Sequence, residues 1–370
     1  MNFGTIQVAD IFVGALNAIE AYFGTEKVWE KSAPPPTANW LCFTAEEANS
    51  TVAMAKGGWQ SPPAVSLECS TDGNTWSPFE VGTTTVTLAN IGDYVYVRAT
   101  SAGNTGMGTS SISYNKFVMT GKIAASGNVD TLLDQNGNAT LTSYCFNGLF
   151  SGCSSLTTAP ALPATTLANN CYADMFFRCA SLTTAPELPA TTLADNCYKN
   201  MFKNCSSLTS APELPATTIA IACYSNMFSG CSSLTTAPAL PATIIFSNCY
   251  EYMFYGCSSL TTAPATLPAT TLYIGCYASM FQNCTSLTSA PTLPSTTLYN
   301  NCYQLMFSGC SNLNSITLGY TGNFADAPNN AFSNWVSGVA STGTFYYNGS
   351  DTTTGNNAIP TGWTITPFTP

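Results

Sequence analysis

One 26-residue pattern recurs seven times in the second half of the chain, and a period of that length commits it to stacked coils that each touch only their neighbours. The pattern is Cys-Tyr-x-x-Met-Phe-x-x-Cys-Ser-Ser-Leu-Thr-Thr-Ala-Pro-x-Leu-Pro-Ala-Thr-Thr-Leu-x-x-x, with copies starting at Cys145, Cys171, Cys197, Cys223, Cys249, Cys276 and Cys302. One copy has 27 residues and gains its extra one near Thr266, where a loop can absorb it; the seventh copy lapses after Leu313. A single copy cannot bury its own apolar side chains. Stacking does so, and stability then accumulates through nearest-neighbour interfaces.

The first half of each copy reads as a short helix. Cys171, Met175 and Cys179 stand at i, i+4 and i+8, with Tyr172 and Phe176 beside them, so all five share one broad helical face. The positions between them, such as Lys199-Asn200 and Lys203-Asn204, are mostly polar and differ between copies, as a solvent face should. The second half must return the chain, and its apolar positions are Leu182, Ala185, Leu188 and Leu193. Pro186 and Pro189 recur at equivalent places and cannot donate to a ladder between coils. Regular strand is therefore expected to be brief, about two to four residues per coil around Leu182 to Thr184.

Fourteen of the 16 cysteines belong to this pattern. On a helix, residues eight apart lie about 12 Å from each other, beyond the roughly 4.4–6.8 Å that a disulfide spans, so Cys171 does not bridge Cys179. Bonds between equivalent cysteines of adjacent coils remain spatially open. The spacing is not that of a zinc site, and reduced core ladders are the favoured reading, in keeping with a chain that folds in a reducing cytoplasm.

Composition narrows the function. Only 8% of residues are charged, against about a quarter in ordinary domains, so Thr, Ser, Asn and backbone must build the surface. The net charge is −10 and the nine basic residues are scattered, which argues against nucleic acid as a partner. The absence of histidine removes the commonest general base and zinc ligand. No nucleophile elbow, phosphate loop or dinucleotide fingerprint is present and the carboxylates are spread singly, so we expect no enzyme, no catalytic or metal-binding residue and no cofactor. The N-terminus lacks a basic run, Asp10 interrupts its first apolar stretch, and no run of about 18 apolar residues exists, so neither a secretory signal nor membrane insertion is expected. Assembly into a virus released by lysis is one remaining route to the cell exterior.

Upstream of the repeats, residues 1–36 hold short β-like runs and end in the stiff linker Ala33-Pro-Pro-Pro36. Residues 37–120 alternate apolar and polar in runs such as Tyr94-Val-Tyr-Val-Arg-Ala, separated by Asp72-Gly-Asn and Gly92-Asp, and predict an antiparallel β-sandwich of immunoglobulin-like type. Cys42 and Cys69 fall on two of its strands; a pair is open, with buried thiols favoured. Residues 121–144 are expected to cap the first coil, 145–318 to form the coils, and 319–370 to hide the last apolar face.

The order Cys-x-x-Leu-x-x-Ala-x-Leu-Pro, then Leu and Met-Phe-x-x-Cys, resembles the BspA-type, or Treponema-type, leucine-rich repeats on surface proteins of gut and oral bacteria. The departures are the added proline, as at Pro160, and Met-Phe where Ala-Phe is more usual. The resemblance covers about 145–318 and implies a leucine-rich-repeat solenoid there; with the upstream readings the chain is expected to be multi-domain, a small β anchor and β-sandwich, then an α/β leucine-rich-repeat solenoid of about seven 26-residue coils with a C-terminal cap. The resemblance also implies adhesion to proteins, cells or glycans, and brings no catalytic residues. The run Ala-Tyr-Phe-Gly-Thr-Glu-Lys-Val-Trp-Glu is similar to an N-terminal hairpin of phage structural proteins, and Ser-Thr-Asp-Gly-x-x-Trp to modules preceding such repeats in gut bacterial and phage proteins.

The favoured reading is a virion structural protein, a head or tail fibre or a decoration protein, that folds in a reducing cytoplasm and is extracellular after lysis. The apolar residues Phe12, Val13, Tyr22, Phe23, Val28 and Trp29 are its candidate anchor, holding another virion protein through residues 1–32. A bacterial cell-surface adhesin and an intracellular scaffold are the alternatives, and a homo-oligomer is compatible with a fibre. Copies disagree where exposed positions are free to specialise. The candidate contacts to a host-surface glycan or protein are therefore Phe246, Tyr252, Tyr255, Tyr273 and Tyr299, with Glu187 and Glu213 on the proline-rich edge.

Overall fold

The computed structural model describes residues 39–368 and, before them, the backbone of two strands, β1 (Glu20–Phe23) and β2 (Glu26–Glu30), which pair antiparallel with Tyr22 opposite Lys27. Phe12 and Val13 lie outside the described residues, while Tyr22, Phe23, Val28 and Trp29 fall on β1 and β2.

Ten strands follow and divide between two sheets. In chain order they are β3 (Leu41–Ala45), β4 (Ser50–Gly58), β5 (Leu67–Ser70), β6 (Ser77–Pro78), β7 (Thr85–Leu88), β8 (Tyr94–Ala99), β9 (Gly108–Ser110), β10 (Ser113–Thr120), β11 (Ile123–Ser126) and β12 (Leu156–Thr158). One sheet has the order β7-β4-β10-β9 and the other the order β12-β11-β3-β8-β5-β6. Along β4 and β10 alternate residues are buried, and Phe43 of β3 meets Phe117 of β10 across the gap at 4.8 Å. Cys42 and Cys69 are free thiols on β3 and β5, with β8 between them. Two strand spacings are about 9.6 Å, too far for a disulfide.

The repeats correct the helix expectation, and with it the α/β class. Among the described residues there is no α-helix; Cys145–Cys153 and its equivalents form a run of tight turns in a β-dominated chain. The backbone shows why. Cys145, Asn147, Leu149, Ser151 and Cys153 donate their N–H to carbonyls three residues back, whereas Tyr144, Phe146, Gly148, Phe150 and Gly152 donate to Asn169, Cys171, Ala173, Met175 and Phe177 of the next copy. Half the donors close turns and half bind the neighbour, whereas a helix would spend all of them internally. Every fourth residue is left-handed, as at Asn170, Asp174 and Arg178 or Asn196, Asn200 and Asn204. Fifteen of the 21 such positions in the seven copies are Gly, Asn or Asp, the residues that accept positive φ most cheaply.

Side chains stack as the backbone does. One column runs Phe117, Phe150, Phe176, Phe202, Phe228, Phe254, Phe281 and Phe307, with ring centroids 5.3–5.8 Å apart. A second runs from Phe146 through Tyr172 to Tyr303. The second cysteine of each copy points its thiol at a phenylalanine carbonyl one coil back, as Cys179 Sγ does to Phe150 O at 3.1 Å and Cys231 Sγ to Phe202 O at 3.1 Å. Burial pushes the thiols of Cys153, Cys205, Cys257 and Cys310 up to about 12, so the proton needed for that bond is retained.

The return half is sparser. In most copies neighbouring coils meet there through one or two isolated parallel bridges, such as Thr158 with Thr184 and Thr166 with Thr192. Thr183 and Thr209 add hydroxyl bonds to the carbonyls of Thr157 and Thr183. Regular strand is confined to β12 and to β13 (Ser289–Leu293). The latter begins a parallel sheet with β14 (Ser315–Leu318), β15 (Thr344–Tyr347) and β16 (Thr364–Thr366), in that order.

The turn stack is engaged at both ends. Met107 and Phe117 donate backbone N–H to the first copy's Cys145 and Leu149 carbonyls, and Lys116 Nζ reaches Ser151 O at 3.2 Å. Past the seventh copy, Ala331, Ser333, Trp335 and Ser337 accept from Tyr303, Leu305, Phe307 and Gly309. A further turn segment without cysteines thus sits there, with buried Trp335 donating from Nε1 to Ala358 O at 2.8 Å.

Candidate binding surface

The segment just before the first cysteine of each copy leaves the return half and enters the turns, and there the copies diverge most in exposed apolar character. Three residues before that cysteine the chain reads Ala168, Ala194, Ala220, Phe246, Tyr273 and Tyr299. The 26-residue stacking places the last three rings one above the other: Phe246 and Tyr273 at 5.6 Å, Tyr273 and Tyr299 at 5.8 Å with planes 12° apart. All three are exposed.

Isoleucines extend the ridge. Ile221 and Ile274 occupy the next position along in their copies, and Ile244 replaces a threonine that Thr192, Thr218 and Thr271 show is otherwise the rule. Ile244 is 54% exposed, the most of the six. Of the ten exposed large hydrophobic residues among the described residues, these six share one edge, whereas Trp59, Ile91, Val118 and Ile365 lie elsewhere in the sequence. Scattered apolar residues are ordinary on a surface, whereas a group gathered on one edge is a candidate for contact. The isoleucines escaped the sequence reading because a single apolar residue in a strand-like stretch reads as core. Comparing equivalent threonines between copies would have found Ile244.

The other sequence candidates divide between two places. Tyr252 and Tyr255 are half-buried on the turn side, their rings edge to face at 5.8 Å. Glu187 and Glu213 are exposed on the proline-rich return and line one shallow depression of about 420 Å³ with Pro189 and Pro215. The seven candidates therefore do not form one site. Among the described residues no group of three or more Cys, Asp or Glu side chains is placed to hold a metal ion. The repeat thiols are spent on carbonyls or packed in the core.

No curated protein matches the sequence. A solved structure to which it is similar is that of a leucine-rich repeat protein from Bacteroides ovatus ATCC 8483, 20% identical, at a TM-score of 0.33. That match covers 55% of this chain and 46% of the other, so this chain spans about half the length of that protein. The sequence model of the BspA type leucine rich repeat region matches six copies, over residues 128–261 and 195–337, which together exceed half the chain. The chain belongs to the BspA-type leucine-rich-repeat family.

Proposed function

We propose that this protein is a non-enzymatic recognition protein that presents the ridge of Phe246, Tyr273 and Tyr299, flanked by Ile221, Ile244 and Ile274, to a glycan or protein on a host surface. The observation that carries the reading is the gathering on one edge of six of the ten exposed large hydrophobics among the described residues. Flat rings held in register by the coils below lose little freedom on binding, which favours stacking on sugar faces or anchoring in a partner's pocket.

In this reading residues 37–120 are a β-sandwich joined to the coils of 145–318, with end pieces at 121–144 and 319–370. The particle that carries them is a virion, held through residues 1–32. Support comes from an interior of unpaired thiols, suited to folding in a reducing compartment before release, and from a Thr/Asn-rich shell with few charges.

Two experiments test it. The triple variant Phe246→Ala, Tyr273→Ala, Tyr299→Ala restores the residue of earlier copies, so it should fold as the parent does and lose binding to host cells; binding at full strength would remove the ridge from the account. Deleting residues 1–32 should abolish incorporation into particles. Incorporation without them, or recovery of the protein only on bacterial envelopes, would replace the virion with the surface-adhesin reading.

A further inference from the structure

A second feature lies on the turn side, outside the ridge. Lys199, Lys203, Glu251, Tyr252, Tyr255, Gln282 and Leu305, with backbone and small side chains between them, line a groove of about 650 Å³. That is within the roughly 300–1,000 Å³ of small-ligand sites. Three observations set it apart from the rest of the turn face.

The first is charge. The chain carries −10 overall, and beyond residue 122 its basic residues are Arg178, Lys199 and Lys203. Two of those three line this one groove. Lys203 Nζ is held at 2.9 Å by Asn226 Oδ1, which fixes its direction and leaves further N–H donors. The carboxylates that face the two ammonium groups are Glu251 and Asp174, both pushed up by burial and drawn back by Lys199, with the Asn200 side chain and Lys203 also acting on Asp174.

The second is aromatic surface. Tyr252 and Tyr255 form an edge-to-face pair on the wall, where the equivalent residues two copies earlier are Asn200 and Lys203. The third is strain. The left-handed column that holds Gly148, Asp174, Asn200 and Asn226 holds Tyr252 at φ 55° and Leu305 at φ 55° in later copies, and both line the groove. A large side chain kept in a conformation that Asn adopts more cheaply is an outlier that points toward function.

We propose that this groove binds an acidic saccharide: Lys199 and Lys203 take the sugar carboxylate, Tyr252 and Tyr255 stack on its apolar ring face, and the amides of Asn226 and Gln282 meet its hydroxyls. The site is independent of the ridge and does not rest on it.

The test is calorimetric titration of the full chain with 3′-sialyllactose, with a hyaluronan tetrasaccharide as the uronate, and with lactose as the neutral counterpart. At least one acidic sugar should bind at least about tenfold tighter than lactose, and which one does so separates a sialic acid from a uronate. The preference should vanish in Lys199→Met/Lys203→Met and weaken with salt. Tyr252→Asn should lower affinity by at least about tenfold while the melting temperature rises, a combination that a purely structural tyrosine cannot give. The proposal fails if neither acidic sugar binds, if lactose binds equally well, if the preference survives loss of both lysines, or if Tyr252→Asn keeps its affinity. The triple ridge variant should retain sialyllactose binding, so the loss of one site leaves the other testable.

Discussion

The two halves of each coil solve the same stacking problem by different means. In the turn half, every second N–H reaches the next copy and two aromatic columns are fully buried. In the return half, prolines remove donors, and one or two isolated bridges, joined in places by a threonine hydroxyl, link most neighbouring coils. The turn half therefore carries the register and most of the cohesion, while the return half tolerates the extra residue near Thr266 and, at its end, the change from Ala220 to Phe246. The ridge of exposed apolar residues varies where the scaffold has slack.

If cohesion resides in the turn half, the largest loss comes from its core. Phe228 is fully buried between Phe202 at 5.6 Å and Phe254 at 5.7 Å. Phe228→Ala should destabilise by about 3–5 kcal/mol in denaturant unfolding, and a loss under about 1 kcal/mol would contradict the division of labour.

Next is the junction where the two-sheet region meets the coils. Asp130 is buried in the 3-10 turn Val129–Leu132, its N–H held by Asn128 Oδ1, and its own Oδ1 has no partner among the described residues. Burial pushes its carboxyl from 3.8 up to about 6. The folded state thus holds the proton more tightly than the unfolded one, so the group's penalty is absent below about pH 4, grows as pH rises, and is complete above about pH 6. Asp130→Asn should stabilise by about 1–2 kcal/mol at pH 7, after allowing for residual solvent. That gain should shrink toward zero as the pH falls to about 4, and a pH-independent gain would remove the buried charge from the account.

Much of this organisation was legible. The period, the extra residue near Thr266 and the buried Cys, Tyr, Met, Phe and Leu columns follow from the repeat alone. The path of the turn half did not, because apolar residues four apart look alike over nine positions whether the backbone is a 3.6-residue helix or a chain of four-residue turns. The signal that separates them is Asn, Gly or Asp at every fourth residue, as at Asn196, Asn200 and Asn204, a spacing no helix interior favours. The turn segment at Asn330, Asn334 and Gly338 was missed for a related reason: it keeps the left-handed spacing and loses the cysteines. At the surface, stacking by 26 residues made the Phe246, Tyr273 and Tyr299 column readable, whereas the separation of Tyr252 and Tyr255 from it depends on the turn path.

The left-handed column offers a finer test of the same comparison. Leu305 at φ 55° stands where Asn200 and Asn226 adopt the same backbone. Leu305→Asn should stabilise by about 1 kcal/mol, the difference in left-handed cost, if the turn half dictates the conformation and the side chain merely complies. A loss would mean that Leu305 packing outweighs backbone strain.

The smallest effect belongs to the return half. Thr209 Oγ1 donates to Thr183 O at 3.4 Å and the residue is exposed. Thr209→Val keeps the shape and removes the bond, so it should change stability by no more than about 0.5 kcal/mol, because water replaces the donor at Thr183 and the β-branched side chain stays. A loss of about 2 kcal/mol or more would show that the threonine ladders bind coil to coil as firmly as the turn stack does, and the slack that lets the ridge vary would have to be sought elsewhere.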